Sequence, residues 1–236
     1  MTRPAPDDRP VPPHAPRATR HAPLVVGLVG GIGAGKSQVA EAFARRGARV
    51  VSGDALAHTA LRQPAIKEKV ARRWGERMLD DKGEVQRRLL AAVVFADAGE
   101  RRALEAMVHP WIKERIRAEV DAARTDASVR LIVLDAAVML EAGWHDVCDR
   151  LVYIDAPRAV RLRRVAGQRG WTAREVEARE AAQLPLTAKA AHADYTLDNS
   201  ASLEDLERQV DDLVRLWGSA KGPTPPTFGD PAPRGR

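Results

Sequence analysis

The sequence predicts an α/β fold, a parallel sheet of about five strands flanked by helices in three layers. Three observations carry the prediction. A short apolar run, Leu24-Val25-Val26-Gly27-Leu28-Val29, leads straight into a Gly-rich turn and then into helical spacing. Further apolar runs at 131–135 and 151–155 each end on an aspartate. Long helical stretches, not tight turns, separate these runs, as expected for parallel strands joined by crossovers.

Leu24 to Val29 is apolar throughout, which suits a strand buried on both faces. From Ser37 to Arg46, Val39, Ala40 and Phe43 share one helical face, and Gly47 is a plausible stop. Ala48 to Ser52 reads as a second strand ending at Gly53-Asp54, which completes a βαβ unit. About Ala55 to Arg124 is helical in pattern, with no convincing strand. Leu131 to Asp135 and Leu151 to Asp155 are the third and fourth strands, and Tyr195 to Leu197 is a weaker fifth. Arg158 to Gln183 is helical and dense in arginine; Ser202 to Trp217 is amphipathic, with Ser200 or Ser202 available as cap.

Of the 236 residues, 44% are hydrophobic but only 4% aromatic, so the core must be built mainly from Ala, Val and Leu. No stretch approaches the roughly 18 apolar residues of a membrane span. No apolar run precedes Leu24, so the N-terminus does not read as a secretory signal. The single cysteine, Cys148, excludes an internal disulfide, suits a reducing cytoplasm, and reads as a small buried apolar residue. Residues 1–22 and 218–236 are rich in Pro and Gly and read as disordered tails. Each tail carries a net charge of +2, which leaves only +2 of the total +6 on the body. A nucleic-acid binder concentrates its charge on the folded domain, so this distribution favours a soluble enzyme with an anionic substrate.

Gly30 through Ser37 satisfies G-x-x-x-x-G-K-[ST] in full, after a strand and before a helix. Glycines let backbone N–H groups turn inward around a phosphate, and the helix N-terminus adds a favourable dipole. Lys36 would bridge the β- and γ-phosphates of ATP, and the Ser37 hydroxyl would ligate Mg²⁺. Asp54 closes the second strand, on the rim where ligands of parallel sheets gather. It could accept the proton of an attacking hydroxyl or simply cap the next helix, and spacing alone leaves both readings open. Asp135 resembles a Walker-B acid that helps hold the metal through water, with a plain strand-end cap as the alternative. Among Arg158, Arg161, Arg163, Arg164, Arg169 and Arg174, most suit a solvated face; Arg164 and Arg169 are the candidates for a phosphate clamp in a mobile lid.

Taken in order, these residues resemble the dephospho-CoA kinase family. The resemblance runs through Gly30 to Ser37, Asp54, Gln86-Arg87-Arg88-Leu89, Val94-Phe95-Ala96-Asp97 and Val108-His109-Pro110. It continues through Leu134-Asp135, Leu140-Glu141, Tyr153 to Pro157, Ala181 to Pro185, Lys189 and Ala193 to Ser200. It implies an NMP-kinase-like P-loop NTPase fold over residues 23–217. The parts would be a core (23–60, 126–157 and 184–217), a helical acceptor-binding insertion (about 61–125) and a lid (about 158–183). Implied ATP contacts are Gly31, Ile32, Gly33, Ala34, Gly35, Lys36, Ser37, Gln38, Arg164, Arg169 and Asn199, the last beside the adenine. Asp54 becomes the catalytic base, with Lys36 and Arg164 as further catalytic groups, and Arg87 and His109 line the dephospho-CoA side. The cofactors would be ATP and Mg²⁺; the partner would be dephospho-CoA, with neither nucleic acid nor membrane. The chain would be cytoplasmic and a monomer or weak homo-oligomer.

Four positions depart from the family pattern. Gln38 stands in place of the usual Thr, Ser52 replaces an acid, Ala136 to Met139 replaces a Pro-Leu-Leu-containing stretch, and Gln168 sits where an Arg is expected, beside Arg169. Related small-molecule kinases are disfavoured by the size of the insertion and by the His109-Pro110 context. A GTPase switch would carry N-K-x-D, which the chain lacks.

Overall fold

The computed structural model describes residues 22–218. The expectations for the tails lie outside them, except that the last helix runs through Gly218. Five parallel strands form one sheet: β1 (Leu24–Gly30), β2 (Arg49–Ser52), β3 (Leu131–Asp135), β4 (Arg150–Asp155) and β5 (Tyr195–Asp198). Their order is β2-β3-β1-β4-β5, which puts β1 at the centre. The register sets Ser52 opposite Asp135 and Leu28 opposite Asp135, so the carboxyl ends of β2, β3 and β1 reach one rim.

Alternation along the strands builds two cores. Val26, Leu28, Val133, Val152 and Ile154 face α1 (Lys36–Ala44) and α9 (Leu203–Gly218), which bring Val39, Phe43, Leu206, Val210 and Leu213. Val25, Val29, Ile132 and Leu134 face the insertion, where Ile112, Ile116 and Val120 supply a helical stripe. Aromatics are few, but Trp217 stacks on Phe43 at 5.8 Å and meets Tyr195 edge-on at 5.6 Å, anchoring α9. Ser202 caps α9: its hydroxyl accepts from Asp205 N at 3.1 Å.

The insertion contains α2 (Gly53–Ala60), α3 (Pro64–Trp74), α4 (Arg87–Ala96) and α5 (Ala98–Thr125). Apart from one isolated bridge, Leu79 with Val85, no strand occurs there among the described residues. Pro110 lies inside the 28-residue α5 rather than in the first helical turn where proline is routine. The stretch expected to be the lid is two helices, α6 (Arg158–Arg169) and α7 (Ala173–Glu180), turned at Gly170 with φ 66°. Short α8 (Leu186–Ala191) returns the chain to β5. None of the described helices is long and apolar enough to cross a membrane. Cys148 packs half-buried against the core, and burial pushes its thiol up to about 12, so it is inert at neutral pH.

Candidate active site

The turn between β1 and α1 is shaped by what its glycines permit. Gly33 and Gly35 adopt φ of 76° and 93°, in the left-handed region. A Cβ on Gly33 would stand 2.6 Å from the Arg161 carbonyl, and one on Gly35 would stand 2.2 Å from Asn199 Nδ2. The turn is therefore gripped from outside by the lid and by the segment after β5. Buried Asn199 donates through Nδ2 to the Ala34 carbonyl at 2.8 Å and to Gln38 Oε1 at 3.3 Å. Gln38 thus supports the loop from the first turn of α1.

Lys36 donates to the carbonyls of Gly30 and Gly31, both at 3.3 Å. Burial pushes its ammonium pKa down, as do the charges of Lys189 and Arg169, while Asp135 and Asp54 push it up. Asp135 accepts from Ser37 Oγ at 2.8 Å. Burial raises the Asp135 pKa, and the Ser37 hydrogen bond and the Lys36 charge oppose that rise. So Asp135 caps no helix; it faces the P-loop. Ser37 and Asp135 offer two hard oxygen donors side by side. Such a pair suits a divalent cation that keeps waters and takes its remaining ligands from phosphate.

Asp54 sits in the first turn of α2, exposed, and close enough to act electrostatically on both Lys36 and Asp135. The cap of α2 is Ser52, whose hydroxyl accepts from Ala55 N at 3.2 Å. Ser52 rather than Asp54 is therefore the cap, and Asp54 stands inside the first turn. At the position of the Ser52 departure the hydroxyl does the capping.

The lid arginines divide their work. Buried Arg161 donates to the carbonyls of Ala156 (3.2 Å) and Ile32 (3.1 Å) and pairs with Glu180. Arg164 donates to the carbonyls of Ala34 (3.3 Å) and Asn199 (2.9 Å). Both fasten α6 to the P-loop. Exposed Arg169 instead holds its guanidinium carbon 5.0 Å from the centre of the Trp171 ring.

On the insertion side, Arg87 lines a cleft of 450 Å³ with His58, Leu61, Arg62 and Glu84. Its Nη2 donates to His58 Nε2 at 2.6 Å. His58 lies four residues after Asp54, on the same face of α2, a spacing that could have marked it in the sequence. His109 is not among the residues lining this cleft. It is half-buried on α5, edge-on to Trp144 at 5.1 Å, and burial pushes its pKa down.

The sequence names two further groups without giving either a role of its own. Lys189, 2% exposed, pairs with Glu141 at 2.9 Å and donates to Gln183 Oε1 at 2.9 Å. Arg161 is visible in the sequence only as one of the seven arginines between 158 and 183.

A backbone cradle for phosphate, a carboxylate left free beside it and a helical hairpin pinned to its edge are what a P-loop kinase requires. The fold and the site define the chain as a member of that class. A family model described as dephospho-CoA kinase matches residues 24–205. A dephospho-CoA kinase of Syntrophotalea carbinolica is 40% identical over 209 residues, covering 87% of this chain and 98% of the relative. One of Thermus thermophilus is 37% identical over 201 residues, covering 85% and 95%. A crystal structure of a Thermus thermophilus protein superposes with a TM-score of 0.70 at 34% identity, covering 86% of this chain and all of that one. A Campylobacter jejuni dephospho-CoA kinase, at 20% identity and TM-score 0.62, shares the fold over 81% of this chain and 95% of its own. The chain belongs to the dephospho-CoA kinase family, a family of ATP-using enzymes.

Proposed function

We propose that the chain transfers the γ-phosphoryl group of ATP to the ribose 3′-hydroxyl of dephospho-CoA, giving ADP and coenzyme A. The observation that carries this reading is Asp54, exposed, free of capping, and facing Lys36 and Asp135. The 3′-oxygen forms a bond to the γ-phosphorus as the bond to the β,γ-bridging oxygen breaks. The proton passes to Asp54, and the electron pair leaves with ADP.

The N–H groups of Gly31 through Lys36, with Ser37 and Gln38 opening α1, take the phosphates. Lys36 reaches the β- and γ-oxygens. Ser37 and Asp135 would hold Mg²⁺, which when bound neutralises charge on the β- and γ-oxygens. Arg164 and Asn199 frame the adenine side, and Arg169 is the lid cation that closes over the transferring group. Arg87 receives the acceptor in its cleft; His109 would support that domain from within α5. Closure of the lid excludes water and limits wasteful hydrolysis.

The test is the full chain with Mg²⁺-ATP and dephospho-CoA, following ADP release and coenzyme A formation. ADP release that does not depend on the acceptor would overturn the reading.

A further inference from the structure

The lid meets the insertion through rings and cations. Arg179, on α7, holds its guanidinium carbon 4.8 Å from the centre of the Phe95 ring and 3.9 Å from that of Trp171. Phe95 belongs to α4, and Trp171 lies in the turn between α6 and α7. Arg169, the last residue of α6, is 5.0 Å from the same indole. The series Phe95, Arg179, Trp171, Arg169 thus crosses from the insertion to the lid. Its last member shares α6 with Arg161 and Arg164, which donate to the P-loop carbonyls of Ile32 and Ala34.

Two features set this series apart from incidental surface packing. Phe95 is 60% exposed, a large ring that no core holds. It stands at the edge of a cleft that His58, Leu61 and Arg87 also line. Arg179 Nε is buried and, among the described residues, has no hydrogen-bond partner. An unpaired buried donor is costly, and here the ring faces are what compensates it. One end of the guanidinium is fixed, because Nη1 donates to the Glu175 carbonyl at 3.0 Å.

We propose that Phe95, Arg179 and Trp171 are positioning residues, a stacked relay that docks the lid on the acceptor-binding insertion and so sets Arg169 over the phosphate cradle. The proposal rests on the kinase reading above. Attraction of a cation to a ring depends on the ring's quadrupole, so an aliphatic side chain of similar area does not replace it. Because Phe95 also borders the cleft on the acceptor side, filling that cleft and closing the clamp become one event.

The experiment uses the full chain with Mg²⁺-ATP and dephospho-CoA, measuring kcat, both KM values and Tm. Trp171→Leu and Phe95→Leu should each lower kcat by about five- to thirty-fold, the scale of one cation–ring attraction, while KM for ATP holds. Trp171→Phe and Phe95→Tyr should restore most of the loss. The double variant Phe95→Leu/Trp171→Leu should be no worse than the poorer single, because the links act in series. Wild-type kcat in the aliphatic variants, no advantage for the aromatic ones at equal Tm, or losses that multiply would each overturn the relay. Should Trp171→Leu not fold, the comparison at exposed Phe95 decides alone. If the unaltered chain shows no acceptor-dependent turnover, the kinase reading fails, and lid docking is read by hydrogen exchange over residues 171–180. Phe95→Leu should raise that exchange; no change would remove the relay.

Discussion

Two residues define how the site is built. Asp54 is a group whose proposed function can be removed with almost no change of shape. Asp54→Asn keeps size and polarity but cannot take a proton at neutral pH. It should lower kcat by about 10²- to 10⁴-fold with ATP affinity intact, read by steady-state kinetics and calorimetry with ATP. Near-normal turnover would return Asp54 to an ordinary helix residue. Gly35 is the opposite case, a position where any side chain is wrong. Gly35→Ala sets a Cβ 2.2 Å from Asn199 Nδ2 at a φ of 93°. It should destabilise the chain by about 1–3 kcal/mol and weaken ATP binding together, because the same backbone serves both. Urea unfolding beside ATP titration would show either loss without the other if that coupling is false.

Elements rather than residues carry most of what the sequence reveals. Strands β1, β3 and β4 are legible because each is an unbroken apolar run with a marked end, and a buried parallel strand has no other pattern. β5 is weaker because its burial alternates: Tyr195 and Leu197 are buried while Thr196 and Asp198 are exposed. Pro110 does not mark a helix boundary, because α5 is long enough to carry a proline inside. Spacing does not separate Asp54 from a cap, since Ser52 and Asp54 are both competent caps; only the hydroxyl bond to Ala55 N distinguishes them. That bond is testable. Ser52→Ala should cost about 1 kcal/mol by urea unfolding. If α2 is what aims Asp54, kcat should fall as well while KM for ATP stays put. Within α6, Arg161 and Arg164 are three apart and share a face, so their common grip on the P-loop is available in the spacing. The role of Arg169 is not, since its neighbour Trp171 stands outside the helix.

At the scale of the molecule, the question is what ties three parts into one machine. The core and the lid meet at a seam built around the buried Lys189. Glu141, just beyond β3, accepts from the backbone N–H of Leu184 at 2.9 Å and from Lys189 at 2.9 Å. Leu184 is where the chain returns from the lid, and Gln183 beside it accepts from the same ammonium. One carboxylate and one amine therefore fix the exit of the lid to the rim of the sheet, near the P-loop lysine whose charge Lys189 opposes. An ion pair taken out of water gains little over well-packed apolar residues, but removing one partner leaves the other charge uncompensated. Glu141→Gln should then cost about 2–4 kcal/mol. That is below the full cost of a wholly buried pair, because the Glu141 side chain keeps 18% of its surface in water. For a chain of this size it is a fall in Tm of roughly ten degrees. The double variant Glu141→Gln/Lys189→Met removes the stranded ammonium as well and should recover a large part of the loss. Losses that simply add would mean that the pair is not one unit, and the lid would have to be held to the core elsewhere, at the grip of Arg161 on Ile32 and of Arg164 on Ala34.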